Sequence, residues 1–251
     1  MHFVYIGVLI MKKRILSVVV TLLIITVSVF PGLTALAVGT VPTLVGGVYQ
    51  IGTADELRWF ADAVNNGTQA IKGKLTADIQ LNADGSTENK WTPIGSETTP
   101  FKGTFDGDGH TVSGVYIDST ADCVGFFGSV AIPYVAPADE PETVNSEFVL
   151  KHSVTSIKNL NITNATVKGG YSVGGIVGWS YYYTVVNQCH STGSVSGNQR
   201  VGGVTGYANG SSVIVKNYSD MAVTGKLNAG GIIGTSSAAF LEGCFFLGSV
   251  T

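Results

Sequence analysis

Charge is scarce in this chain: Asp, Glu, Lys and Arg make up 12% of its 251 residues, about half the usual ~25%. A surface helix needs a charged face that such a sequence can seldom supply, which excludes a coiled-coil or long-helix protein. The same scarcity separates the chain from disordered sequences, which pair high charge with few aromatic and β-branched residues. A formal net charge of −3 removes the electrostatic basis for a nucleic-acid partner, because such binding rests on Lys and Arg neutralising phosphates. Signatures of chemistry are sparse as well. No H-E-x-x-H, C-x-x-C or phosphate-loop pattern occurs, and His110, His152 and His190 stand far apart without zinc-ligand spacing. None of the serines is read as sitting in G-x-S-x-G, and no catalytic residue, metal ligand or cofactor is expected.

What the chain has in excess is glycine, 33 of 251 residues, or about 13% against a usual ~7%. Glycine inside a helix costs roughly 1 kcal/mol against alanine, so the excess points to strands and turns. The first residues follow a different logic. Lys12, Lys13 and Arg14 precede an uncharged run from Ile15 to Phe30, then Pro31 and Ala35-Leu36-Ala37, which is the order of a secretory signal peptide. Residues 1–37 are expected to be that signal, with Met11 as the true start, and 38–46 a linker. Without Lys12, Lys13 and Arg14 the chain keeps 11 basic and 17 acidic residues, a mildly acidic exported protein.

Internal repetition is the strongest signal. Val173-Gly174-Gly175-Ile176-Val177-Gly178 recurs as Val201-Gly202-Gly203-Val204-Thr205-Gly206 and as Ala229-Gly230-Gly231-Ile232-Ile233-Gly234, 28 residues apart each time. Further columns follow each box: Val186, Ile214 and Leu241, then Val195, Val223 and Val250. Val124-Gly125-Phe126-Phe127-Gly128 is a degenerate earlier copy. Each unit offers short apolar runs rich in Val, Ile and Thr, divided by Gly, Ser and Asn, which read as strands of three to six residues. A unit this small cannot bury its apolar face alone and must stack on its neighbours. The fold expected is all-β: a parallel β-solenoid of about 28-residue coils, equivalent residues lying about 4.8 Å apart. A β-propeller is the alternative. Thr53 to Val64 reads as one helix, with capping-box spacing of Thr53 and Glu56, a buried face of Leu57, Phe60, Ala61 and Val64, and Gly67 as its stop. It is expected to cap the first coil, so that 47–123 holds the cap and first coils and 124–251 the repeats.

Trp91-Thr92-Pro93-Ile94-Gly95, then Phe101 through Val112, then the glycine boxes resemble the GLUG-motif proteins of bacterial surfaces, over roughly Gly47 to Thr251. The resemblance implies a right-handed parallel β-helix in a cell-surface or secreted, wall-associated setting, as in adhesins and immunoglobulin A-cleaving metallopeptidases. It implies partners such as host or cell-wall glycans or proteins. The chain stops inside the repeat, so it is expected to be the amino-terminal part of a longer protein, and residues 38–251 alone to self-associate through an open edge.

Three segments invite a functional reading. Asp106-Gly107-Asp108-Gly109-His110 reads as a polar turn, or as carboxylates that could pair with Asp118 or Asp122 in a glycosidase couple. Gly128 to Val167 is about 22 residues longer than the repeat requires, an inserted loop near 131–155 containing Pro133, Pro137 and Pro141. Trp179, Tyr181 and Tyr183 share one parity along a strand, so their rings could form a face that stacks on sugars, or an aromatic ladder packed between coils. The function expected is a non-enzymatic surface module acting in adhesion, ligand binding or as a stalk. The alternatives are a carbohydrate-active β-helix of lyase or glycosidase type and the repeat region of a surface metallopeptidase. Cys189 and Cys244 fall in one column two coils apart, about 9.6 Å, and are expected not to pair.

Overall fold

The computed structural model describes residues 40–131, 144–153 and 155–251, all within one compact unit spanning Gly39–Thr251. The expected signal segment and Pro133, Pro137 and Pro141 lie outside the described residues. Three sheets wrap a common core. One contains Lys72–Leu75, Thr104–Asp106, Thr155–Lys158, Thr184–Asn187, Val213–Val215 and Phe240–Glu242; a second is centred on Asn161–Lys168, His190–Gly202 and Tyr218–Gly230; the third stacks Phe127–Ala131, Val177–Tyr181, Thr205–Asn209 and Ile233–Ser237. Neighbours within each stack are parallel, so the chain is a parallel β-solenoid of about 7 turns.

The register follows the sequence columns. Val167 pairs with Val195 and Val195 with Val223, while Val186 pairs with Ile214 and Ile214 with Leu241. Val186, Ile214, Val195 and Val223 are buried, as are Ile176 and Val204 from the glycine boxes. Two strands, His190–Gly202 and Tyr218–Gly230, run to 13 residues, longer than the short runs expected, because pairing continues round a corner instead of stopping at it.

Close approach explains the glycine boxes. A Cβ on Gly174 would lie 2.1 Å from the carbonyl oxygen of Val177, and one on Gly202 would lie 2.1 Å from that of Thr205. The next position is closed by the coil above: Gly203 O would be 2.3 Å from a Cβ on Gly175, and Gly231 O would be 2.2 Å from one on Gly203. Side chains there would push the turns apart, so the pair recurs once per coil.

Helix α1 (Ala54–Asn65) has the anticipated capping box, Thr53 Oγ1 accepting from Glu56 N at 3.3 Å and Glu56 Oε2 from Thr53 N at 3.0 Å. Its buried face is Leu57, Phe60, Ala61 and Val64. Phe60 meets Phe101 and Phe105 edge-on, at 6.0 and 5.6 Å, so the helix closes the apolar first coil. The sheet begins earlier than expected: Thr43–Val45, inside the stretch read as a linker, folds back antiparallel on Val48–Ile51. A second helix, α2 (Ser146–His152), is new. The Asn145 side chain caps it by accepting from Phe148 N at 2.8 Å. Val149 packs into a cluster with Tyr183, Val185, Val213 and Val215 on the outside of the first sheet. Part of the inserted segment therefore covers valines that would otherwise face water.

Candidate ligand-binding face

Trp179 and Tyr181 project from one face of Val177–Tyr181, as alternation along a strand requires. Their ring centroids are 5.3 Å apart, and both rings are half-buried. Tyr207 stands beside Trp179 in the next coil, the two residues paired in register and their rings stacked at 6.1 Å with planes inclined by 22°. The Arg200 guanidinium caps this stack, 4.4 Å from the Tyr207 centroid, a favourable cation–π placement. Tyr182 packs on Tyr181 at 3.9 Å, and its hydrogen bond raises the Tyr181 phenol above its ordinary pKa.

Tyr183 is not on this face. Tyr182 and Tyr183 both have φ of +41°, a left-handed step that ends the strand and breaks the period of two. The Tyr183 ring is 4% exposed and meets Phe148 of α2 edge-on at 6.2 Å. The aromatic face is therefore Trp179, Tyr181 and Tyr207, and adding the 28-residue repeat to Trp179 would have found its third member.

Beside Trp179 runs a second column. Cys123, Ser172, Arg200 and Asn228 hold φ of 55°, 56°, 59° and 56°, and the adjacent pairings Val124 with Val173 and Val173 with Val201 put the first three in one corner of successive coils. Ser172 also corrects the reading that no serine sits in G-x-S-x-G, since Gly170-Tyr171-Ser172-Val173-Gly174 has that spacing. Its left-handed backbone belongs to the corner, because cysteine, arginine and asparagine adopt the same conformation at equivalent positions. Cys123, Ser172 and Arg200 line a cleft of about 370 Å3, completed by Glu97, Asp122, Tyr171, Gln199 and Trp179. Asp122 Oδ1 accepts from Tyr171 N at 2.8 Å, and the Cys123 thiol donates to Glu97 Oε1 at 3.1 Å. Burial and the Glu97 carboxylate push that thiol's pKa up strongly, keeping it neutral. An adjoining cleft of about 610 Å3, lined among others by Trp91, Thr92, Ser96, Asp118 and Asp122, shares Asp122 and Cys123 with it.

The remaining candidates are held in local contacts. Asp106 pairs with Lys158 at 3.1 Å and Asp108 with Lys74 at 3.0 Å, while Asp108 N donates to Asp106 Oδ1 at 2.9 Å, closing the polar turn. Burial alone would raise the Asp106 pKa, but hydrogen bonds from Asp108, Asn159 and Lys158 outweigh it and lower the value. Asp118 is held by Lys168 at 3.0 Å, and that contact lowers its pKa. His110 meets Asp78 at 3.2 Å, His152 stacks on Phe148, and His190 packs on Tyr218. Among the described residues no group of three His, Cys, Asp or Glu is placed to hold a metal ion.

The model of the GLUG motif matches residues 169–196, the coil that carries Ser172, Trp179 and Tyr181, so the chain carries the repeat that its glycine boxes resemble. Halomucin of Haloquadratum walsbyi is 32% identical over 144 residues, covering 53% of this chain and 1% of halomucin. The chain thus spans 1% of that relative's length. No solved structure shows a significant match.

Proposed function

We propose that this chain is a surface-associated β-solenoid module that binds saccharides and does not cleave them. The observation that carries the reading is the aromatic face of Trp179, Tyr181 and Tyr207, held on consecutive coils of a rigid scaffold. Aromatic rings present large apolar faces at little cost in conformational entropy, and the C–H face of a sugar ring is their natural counterpart. A GLUG motif and a relative named as a mucin support a place at the cell surface. Of the four carboxylates read as a possible glycosidase couple, Asp106, Asp108 and Asp118 are each tied to a lysine and Asp122 holds Tyr171 N, which favours binding over hydrolysis.

Passing the protein over immobilised plant, host and cell-wall polysaccharides tests this. Retention without release of reducing ends or unsaturated products is the expected result. Product release would make the chain a carbohydrate-active enzyme, and absence of retention on every polysaccharide would refute saccharide binding.

A further inference from the structure

We infer that the 370 Å3 cleft beside Trp179 is a saccharide subsite selective for uncharged sugars, an assignment that rests on reading the aromatic face as saccharide-binding. The geometry begins with the column to which Trp179 belongs. On one side its partner is Tyr207, whose ring covers it; on the other its register partner is Ser129, too small to cover an indole. The cleft lies against Trp179 and is walled by Glu97, Asp122, Gln199 and Arg200. A sugar ring against the indole would therefore have polar groups at its edge.

Those groups suit hydroxyls. Carboxylates only accept and a guanidinium only donates, and a hydroxyl can do either. Asp122 uses Oδ1 to hold Tyr171 N, and Glu97 uses Oε1 to hold the Cys123 thiol, so each acid is fixed by one oxygen and keeps the other for a ligand. Arg200 is oriented by its stack on Tyr207. Two carboxylates stand against one guanidinium, and Cys123 is neutral, so the cleft carries an excess of negative charge. A uronic or sulfated sugar would meet like charge there, whereas a neutral sugar would not. The adjoining 610 Å3 cleft, which shares Asp122, lets the chain of sugars continue past the subsite, and each volume lies in the range of about 300–1,000 Å3 usual for ligand sites. The left-handed corner also explains why the cleft is here: it sets Cys123, Ser172 and Arg200 side by side at strand spacing, while the core columns stay untouched.

The experiment is calorimetric titration of the full chain with cellohexaose, chitohexaose and hexagalacturonate, repeated with Glu97→Gln, Asp122→Asn and Trp179→Ala, folding being checked by circular dichroism. Both amide variants keep the oxygen that anchors the loop and replace the free acceptor. The expected result is binding of at least one neutral hexasaccharide, weaker or absent binding of hexagalacturonate, and about a tenfold loss in each amide variant, as expected for one charge-assisted hydrogen bond. Tighter binding of hexagalacturonate would overturn the charge selectivity. Neutral binding that falls with Trp179→Ala but is unchanged in both amide variants would overturn the cleft and leave the aromatic face standing. No binding of any hexasaccharide, or binding indifferent to Trp179→Ala, would overturn both.

Discussion

Trp179 and Tyr207, 28 residues apart in sequence, lie face to face on adjacent coils, their centroids separated by 6.1 Å and their planes inclined by 22°. The contact follows from the repeat: glycine boxes hold the coils in register, and the register brings every residue beside its counterpart one coil away. Core columns use that adjacency for burial. On the outer face it stacks two rings and leaves one side of the indole next to Ser129.

The glycine boxes carry the first consequence. Gly203→Ala would place a methyl group 2.2 Å from the carbonyl oxygen of Gly231 and 2.2 Å from Ser219 Oγ. Overpacking of this kind destabilises by about 1–3 kcal/mol. The urea midpoint of the variant is expected to fall with an unchanged slope; a midpoint equal to that of the parent would show that the coils are not packed through this position.

Cysteine chemistry gives the second. Cys123, Cys189 and Cys244 are free thiols, and Asn217 stands between the last two, accepting from Cys189 N at 2.9 Å through Oδ1 while its own N–H points at Cys244 Sγ, 3.4 Å away. Burial pushes the Cys189 thiol up to about 12, so little nucleophilic thiolate exists near neutrality. Iodoacetamide at pH 8 is expected to label the partly exposed Cys244 well before Cys189, and peptide mapping of oxidised protein should show no Cys189–Cys244 crosslink. Faster labelling of Cys189, or that crosslink, would contradict the register.

Most of this architecture was legible in the chain. Val186 and Ile214 recur because a solenoid repeats its inward positions, and Thr53 with Glu56 announces α1 by local chemistry alone. Tyr183 was misplaced because alternation was carried through a corner, where two residues with φ of +41° reset it. Helix α2 went unread because its support is tertiary: Val149 is buried in a cluster with Tyr183 and with Val185, Val213 and Val215 of two other strands. The cleft was invisible for a similar reason, since Glu97 comes from a loop outside the repeat and meets Asp122 and Arg200 only through the coil.

Acid provides the third prediction. His190 is held below its ordinary pKa of 6.5 by burial, against the opposing pull of Asp220. The unfolded chain takes up a proton near that value while the folded chain declines it. The stability that neutral His190 contributes is therefore present above pH 6.5 and lost as the pH falls through the lower folded value. The lowered pKa of Asp106 extends the loss in the same direction below its ordinary 3.8. Melting temperature is expected to fall between pH 7.5 and 5, and His190→Gln to flatten that slope; an equal slope in the variant would refute the assignment.

The most direct test of a saccharide-binding aromatic face uses the three tryptophans of the chain. Trp91 is buried and stacked on Phe126 at 5.0 Å, and Trp59 of α1 packs on Tyr49; Trp179 alone of the three belongs to the proposed face. With 5-fluorotryptophan incorporated, fluorine NMR resolves one resonance per indole, assigned by Trp→Phe substitution. On titration with a retained neutral oligosaccharide, the Trp179 resonance should shift with saturation while those of Trp59 and Trp91 stay in place. A stationary Trp179 signal in the presence of bound saccharide would contradict the account.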